Sequence, residues 1–323
     1  MKNFKEIGLV NTKELFKDAY TGGYAIPAFN FVCLEQLQAI VTACCETRSP
    51  FILQSSANVR NDIGRRMVFR MAEACVEQMN DAGTAVPMAL NLDHGLSFED
   101  CKDCIDLGFS SVMIDGSMLS FEDNIELTKR VVDYAHKYDV CVEGELGTLS
   151  GTEEGVSHNG SVFTNPSMAE KFVKATGVDS LAISIGSSHG VVKVTPNRDG
   201  SIPELRFDIL KKIEENLPGF PIVMHGSSAI PAKYVEMINR YGGELKQAQG
   251  IPEDQIRKAV AMSVCKVNVA SDGWIAMTAT IRRILAENKD IIDPRAFLKA
   301  ARKEMTEVYK HKTQHVLFSA GRA

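Results

Sequence analysis

The chain alternates between short apolar runs and longer amphipathic stretches. Eight runs are mostly apolar: AIPAFN, PFILQSS, VPMALNLDHG, SVMIDGS, VCVEGELG, SLAISIGSSHG, PIVMHGSS and VCKVNVAS. The stretches between them, such as LEQLQAIVTACCETR and FEDNIELTKRVVDYAHKYD, carry apolar residues at three- and four-residue spacing. Short apolar runs indicate buried strands, and the wider spacing indicates helices. The pattern therefore predicts a β-strand followed by an α-helix, repeated eight times.

Strands that are apolar on both faces are typical of a parallel sheet covered by helices. Eight units favour closure into a (β/α)8 TIM barrel, and an open doubly wound sheet is the alternative. We expect an N-terminal helix at residues 12–20 to cover the barrel bottom and residues 274–318 to add C-terminal helices. Because no linker or internal repeat interrupts the pattern, we expect residues 1–323 to form a single domain.

Polar residues close most of the predicted strands. They are Asn30, Ser55, Asp93, His94, Asp115, Glu145, His189, His225 and Asn268. In a (β/α)8 barrel the carboxyl ends of the strands converge on one mouth, where active sites are built. Two connections, residues 148–164 and 190–202, are unusually long and bear glycines, so we expect mobile loops over that mouth.

Composition narrows the class of protein. The chain has 323 residues, 45% of them hydrophobic and 24% charged, and a net charge of −5. Such values are ordinary for a soluble protein and offer no basic surface for nucleic acid or an anionic membrane. The charged N-terminal segment lacks the apolar core of a secretory signal, which predicts a cytoplasmic protein.

The eight cysteines lie within apolar helix or strand patterns, which predicts reduced thiols. Cys101 and Cys104 form a CxxC pair, but a zinc ribbon would require a second pair. We therefore interpret this pair as core packing in preference to a redox or metal role.

Three histidines share one setting: His94, His189 and His225 each follow an apolar run and precede a glycine. Three imidazoles can hold a zinc ion and leave a fourth position open for chemistry. Asp93 precedes His94, and strand alternation predicts that the two side chains point in different directions. We therefore assign Asp93 to proton transfer, although it could instead orient a ligand histidine.

Loop residues add further candidates. In GTLSGTEEG, Glu153 and Glu154 could swing into the site, or they could form a solvated acidic turn. Barrels often hold phosphate near strands seven and eight, through loop glycines and a helix N-terminus. The candidates for that role are Gly190, Gly226, Ser227, Ser228 and Ser271, with Lys193 as a possible point charge.

These motifs together resemble the class II, zinc-dependent fructose-bisphosphate aldolases along nearly the whole chain. The blocks AIPAFN, NLDHG, GFSSVMIDGS, EGELG, GVDSLAISIGSSHG, VMHGSS and CKVNV occur in that family's order. The resemblance implies that Zn²⁺ is held by His94, His189 and His225, and that Asp93 exchanges the proton of the substrate C4 hydroxyl. It also implies that Glu154 moves a proton at C3, and that Asp115 and Glu145 can hold a displaced or second metal.

The resemblance further implies how the substrate is held. The phosphate of the dihydroxyacetone phosphate half would be surrounded by Gly190, Lys193, Gly226, Ser228 and Ser271, beside a monovalent cation, Na⁺ or K⁺. Asn30, Ser55 and Asn268 would contact the substrate. The implied reaction is the reversible cleavage of fructose 1,6-bisphosphate to dihydroxyacetone phosphate and glyceraldehyde 3-phosphate, in glycolysis and gluconeogenesis. The implied assembly is a homodimer or a dimer-based oligomer.

Departures from the family pattern concern the far end of the substrate. Ala270 stands where an aspartate is usual, as in tagatose-bisphosphate aldolases, and Trp274 stands where several relatives have a phosphate-binding arginine. Arg60 is a candidate to supply the missing charge. The alternatives are therefore a tagatose-bisphosphate or other ketose-phosphate aldolase and, more remotely, a zinc-dependent hydrolase in which the same histidines activate water. A barrel that only binds sugar phosphate is disfavoured by the presence of Asp93 and Glu154.

Overall fold

Eight parallel strands close into a barrel where the apolar runs predict them. The computed structural model describes residues 3–149, 151–153, 156–158 and 162–323. The barrel strands are β1 (Ile26–Asn30), β2 (Phe51–Ser56), β3 (Met88–Gly95), β4 (Ser111–Ile114), β5 (Cys141–Leu146), β8 (Ser180–Ile183), β9 (Ile222–Met224) and β10 (Val264–Val269). They pair in the closed order β1-β10-β9-β8-β5-β4-β3-β2. The predicted TIM barrel is confirmed, and the open-sheet alternative is wrong.

The remaining two strands, β6 (Gly151–Glu153) and β7 (Val156–His158), pair antiparallel within the long connection after β5. The helices are α1 (Thr12–Gly22), α2 (Leu34–Thr47), α3 (Ala57–Ile63), α4 (Arg65–Asp81), α5 (Phe98–Leu107), α6 (Phe121–Ala135), α7 (Pro166–Thr176), α8 (Phe207–Asn216), α9 (Ala232–Arg240), α10 (Glu253–Val260), α11 (Ser271–Glu287) and α12 (Pro294–His311). Within the described part of the chain, none of them combines the length and the apolar character that a membrane span needs.

Helix α1 closes the bottom of the barrel, as predicted. The side chain of Asn11 accepts a hydrogen bond from Lys13 N and so caps the helix. The apolar face of α1, including Phe16 and Ala19, packs against lumen residues such as Ile26 and forms one buried cluster. Burying that face excludes water from the lower lumen.

The side chains that face the barrel interior are apolar near the bottom of the barrel and polar near its mouth. The lower lumen holds Ile26, Ala28, Ile52, Ala89 and Cys265. Higher in the lumen, Lys266 of β10 pairs with Glu143 of β5, Nζ to Oε2 2.7 Å, and both are nearly fully buried. The interior is therefore a packed core that ends in charged and polar layers below the mouth.

Strand β8 is shorter than the apolar pattern predicts. Strand β8 ends at Ile183, so His189 lies on the following loop and not at the strand end. This loop folds back on itself, because Ser188 N donates to Lys193 O at 2.9 Å. The apolar run continues past the strand because Ile185 is buried in the main core after pairing has stopped.

The cysteine prediction is confirmed. Cys101 and Cys104 lie on α5, fully buried in the main hydrophobic cluster, and all eight cysteines are free thiols.

Candidate active site

Strand ends and loops bring His94, His189 and His225 together at the barrel mouth. His94 lies near the end of β3, and His225 directly follows β9. The ring centroid of His94 is 5.0 Å from that of His189 and 4.7 Å from that of His225. One ring nitrogen from each histidine lies within 4.8 Å of the other two. Three converging imidazoles are one of the donor sets found in catalytic zinc sites.

Two of these histidines are oriented by carboxylates. His94 Nδ1 lies 3.0 Å from Asp115 Oδ2, and His225 Nε2 lies 2.8 Å from Glu143 Oε1. In a neutral imidazole, a ring nitrogen that donates to a carboxylate leaves the other nitrogen with a lone pair. Those inner nitrogens, His94 Nε2 and His225 Nδ1, face each other at 3.0 Å. Two lone pairs at this distance repel each other unless a proton or a cation is shared, so the arrangement fits a metal ion.

The charges around the histidines favour a cation. Burial opposes protonation of His94, but the carboxylates of Asp93 and Asp115 raise its pKa well above the usual range. Burial lowers the pKa of His225, and the neighbouring His94 adds to this effect. Although burial opposes ionisation of Glu143, Lys266 and His225 lower its pKa to about 2. A neutral His225 that donates to an ionised Glu143 is in the form that binds metal.

A second donor group shares His94. His94, Asp115 and Glu145 place one ligand atom each within 4.8 Å of the others. Burial and the nearby Asp115 raise the pKa of Glu145. Its Oε2 atom is buried without a hydrogen-bond partner among the described residues, 3.7 Å from His94 Nδ1. An orphaned carboxylate oxygen beside an imidazole and a second carboxylate fits an alternate metal position.

Asp93 is held by two amides. Asn30 Nδ2 donates to Asp93 Oδ2 at 2.7 Å, and Asn268 Nδ2 lies 3.2 Å from Oδ1. The expectation that Asp93 and His94 point in different directions is wrong, because both line the same small cavity. His94 has a φ of 45°, and the pairing of β3 with β4 shifts register here, so the strand alternation is broken. The two side chains nevertheless have separate partners.

Sequence reasoning missed Gln54. Its Nε2 donates to Asn30 Oδ1 at 2.8 Å, and its Oε1 accepts from Asn91 Nδ2 at 3.3 Å. This chain of amides fixes the orientation of Asn30 and, through it, that of Asp93. The signal was present in the sequence, since Gln54 lies two residues after Ile52 on β2 and therefore on the same lumen face.

Several of the proposed phosphate residues lie close to one another at the mouth. Ala270 N lies 3.4 Å from Ser228 Oγ, and Ser271 Oγ lies 3.5 Å from Gly190 O. Gly226 has a φ of 63°, and a Cβ there would lie 2.5 Å from Ser188 O, so only glycine fits. The cavity that contains the histidines is also lined by Lys193, Gly226 and Ala270.

Other predicted residues lie away from this cavity. Ser55 follows Gln54 on β2 and therefore points to the helix side of the barrel, where its Oγ is buried. Its predicted contact with substrate is not supported by this position. Arg60 is 2% exposed, with Nη2 2.5 Å from Asp103 Oδ2 and the guanidinium over Phe109. Its charge is engaged between helices and not at the mouth.

Trp274 lines a different cavity of ≈ 370 Å³ together with Val191, Arg282 and Ser271, and Ser271 is one of the predicted phosphate residues. Glu154, the proposed C3 proton carrier, lies outside the described residues.

The chain is similar to known proteins along nearly its whole length. Residues 10–322 match the family described as fructose-bisphosphate aldolase class-II. The chain belongs to this family. A relative named fructose-bisphosphate aldolase from Treponema pallidum is 54% identical and covers 100% of both chains. Another from Giardia intestinalis is 42% identical over 93% of this chain and 90% of its own length.

A solved structure supports the fold of this class II aldolase. The YdjI aldolase from Escherichia coli K12 superimposes with a TM-score of 0.75 at 25% identity, and the match covers 98% of this chain and 99% of that one. As a class II aldolase the chain is a carbon–carbon lyase, and its family implies a divalent metal, typically zinc. Family membership therefore favours aldol chemistry over the hydrolase alternative.

Proposed function

We propose that this class II aldolase reversibly cleaves fructose 1,6-bisphosphate to dihydroxyacetone phosphate and glyceraldehyde 3-phosphate. The observation that carries the proposal is the pair of facing ring nitrogens of His94 and His225, 3.0 Å apart, with both outer nitrogens held by carboxylates. The substrate follows from the names of the relatives at 54% and 42% identity.

The residues around the histidines suit a metal-assisted retro-aldol reaction. A zinc ion held by His94, His189 and His225 would supply a Lewis acid for a ketose carbonyl. Asp93 would accept the proton of the C4 hydroxyl, and C4 would become the aldehyde as the C3–C4 bond breaks. The electron pair stays on C3, where a proton is later added, a step assigned to Glu154 by resemblance.

Amides and loop groups would orient the substrate for this step. Asn30 and Asn268 hold both oxygens of Asp93, so its proton-accepting atoms cannot rotate away from the mouth. Gly190, Gly226, Ser228 and Ser271 would bind the phosphate of the dihydroxyacetone half, together with the buried Lys193. Orientation of this kind lowers the entropic cost of reaching the transition state.

The test is a coupled assay of triose phosphate release. We expect the wild type to lose activity on chelation and to regain it with Zn²⁺, and His94→Ala to remain inactive. His136→Ala is the matched control, because His136 pairs with Asp179 at the surface and should leave activity unchanged. Activity that is indifferent to chelators would refute the metal-assisted mechanism.

Ala270 favours a second candidate substrate, tagatose 1,6-bisphosphate. It lines the cavity of the histidines, where the family pattern has an aspartate. The ratio of kcat/KM for the two epimers should be measured in the wild type, Ala270→Asp and Trp274→Arg. If neither change moves this ratio, Ala270 and Trp274 do not set the specificity.

The finer expectations are part of the same proposal. We propose one domain over residues 1–323, a homodimer, a cytoplasmic location and a monovalent cation beside the phosphate. The single-domain expectation is supported by a main hydrophobic cluster that extends from Phe4 to Leu317. Sedimentation equilibrium tests the dimer, and assays in Na⁺, K⁺ or tetramethylammonium buffers test the cation.

A further inference from the structure

A buried carboxylate that takes no part in the proposed chemistry lies behind the phosphate loop. Asp272 is the second residue of α11 and is fully buried. Its Oδ1 accepts a hydrogen bond from Ile230 N at 2.7 Å, and its Oδ2 accepts one from Ala229 N at 3.1 Å. Asp272 therefore ties the segment after residues 226–228 to the start of α11, where Ser271 lies.

The segment that Asp272 holds is strained. Ile230 has a φ of 50°, which is a rare conformation for a β-branched residue. Such a backbone persists only when surrounding contacts enforce it. The side chain of Ile230 is buried in the main core, and its N–H is held by Asp272. These two contacts hold Ile230 in this conformation.

Asp272 is itself anchored by the C-terminal part of the chain. Lys312, at the start of the helical turn Lys312–Val316, lies 3.0 Å from Asp272 Oδ2 and 3.0 Å from Glu253 Oε1. Burial opposes the charge of Lys312, but Asp272 and Glu253 raise its pKa. A buried cation between two carboxylates fixes the Asp272 side chain and compensates its charge.

The held segment and the proposed phosphate residues form one unit. Ser228 Oγ lies 3.4 Å from Ala270 N, and Ser228 O accepts from Ile251 N at 3.1 Å. Displacing residues 229–230 would therefore move Ser228 relative to Ser271. Asp272 itself is absent from the lining of the histidine cavity, so it can act on the site only through these neighbours.

We propose that Asp272, anchored by Lys312, is a positioning residue that keeps the phosphate-binding loop 226–228 in register with the N-terminus of α11. The inference rests on the proposed function, because it assigns a phosphate to this loop. Losing the pair should weaken phosphate binding equally in the ground state and the transition state, which raises KM and leaves kcat nearly unchanged.

The experiment compares Asp272→Asn, Lys312→Met and Lys312→Arg with the wild type. Glu304→Gln is the matched control, because Glu304 accepts hydrogen bonds from Tyr234 at 2.6 Å and from Lys233 at 3.2 Å, and both of these residues lie on α9 and not in the loop 226–230. The measurements are kcat, KM for the ketose bisphosphate, bound zinc, and the dissociation constant of inorganic phosphate by calorimetry.

We expect Asp272→Asn and Lys312→Met to raise both KM and the phosphate dissociation constant about tenfold, with kcat within about twofold and zinc content unchanged. Lys312→Arg, which keeps the positive charge, should leave both constants near their wild-type values. If Asp272→Asn does not fold, the Lys312 pair of variants decides. Phosphate binding and KM equal to those of the wild type would overturn the inference. A wild type that binds phosphate but cleaves no ketose bisphosphate would instead refute the proposed function alone.

Discussion

Replacing Glu143 by glutamine should affect both the stability of the barrel and the orientation of a predicted metal ligand. Glu143 accepts from His225 Nε2 at 2.8 Å and pairs with Lys266 Nζ at 2.7 Å, deep in the barrel lumen. Glu143→Gln leaves Lys266 as a buried charge without its ion-pair partner, which typically costs about 3–5 kcal/mol. In a chain of this size, that cost corresponds to a fall of roughly 10 °C in the unfolding midpoint.

The same substitution should also weaken metal binding. A neutral amide is a poorer acceptor for the His225 N–H than a carboxylate, so the inner nitrogen becomes a weaker donor to the metal. Loss of such an outer partner typically reduces metal affinity about 10- to 100-fold. Thermal unfolding and competition with a chromogenic zinc chelator measure the two effects independently.

A double variant separates the two contributions. Glu143→Gln combined with Lys266→Met removes the uncompensated charge, so most of the lost stability should return while the zinc affinity stays low. Glu287→Gln, which breaks an exposed pair with Arg283, is the control and should leave the unfolding midpoint and the zinc affinity at their wild-type values. A Glu143→Gln protein with the wild-type midpoint and zinc affinity would contradict this reasoning.

Gly226, Arg60 and three buried cysteines each provide a further test. Gly226→Ala places a Cβ 2.5 Å from Ser188 O, so we expect KM to rise at least about tenfold. An unchanged KM would mean that this loop does not bind phosphate. Arg60→Met should lower the free energy of unfolding by about 1–3 kcal/mol without changing KM, because the guanidinium pairs with Asp103; a raised KM would instead support a role in binding the distal phosphate. Burial raises the thiol pKa values of Cys44, Cys101 and Cys104, so these cysteines should react with a disulfide reagent only after unfolding. Rapid modification of the native protein would contradict their burial.

Backbone geometry decided several features of the site that the sequence pattern could not. Strand alternation predicts that Asp93 and His94 diverge, but His94 has a φ of 45° and lines the same cavity as Asp93. The apolar run before His189 predicts a strand end, yet the strand stops at Ile183 and a loop carries the histidine to the mouth. Periodicity describes side-chain burial and not the point at which strand pairing stops.

The sequence alone determined the barrel and the identity of the candidate metal ligands. Eight apolar runs must be buried on both faces, and parallel strands bring their carboxyl ends to one mouth, so the polar residues that close them meet there. The tertiary structure decided which partners orient those ligands and what supports the loops. The contacts of Glu143 with Lys266 and His225, and of Asp272 with Lys312, join residues distant in the chain, and only packing determines which buried charges meet.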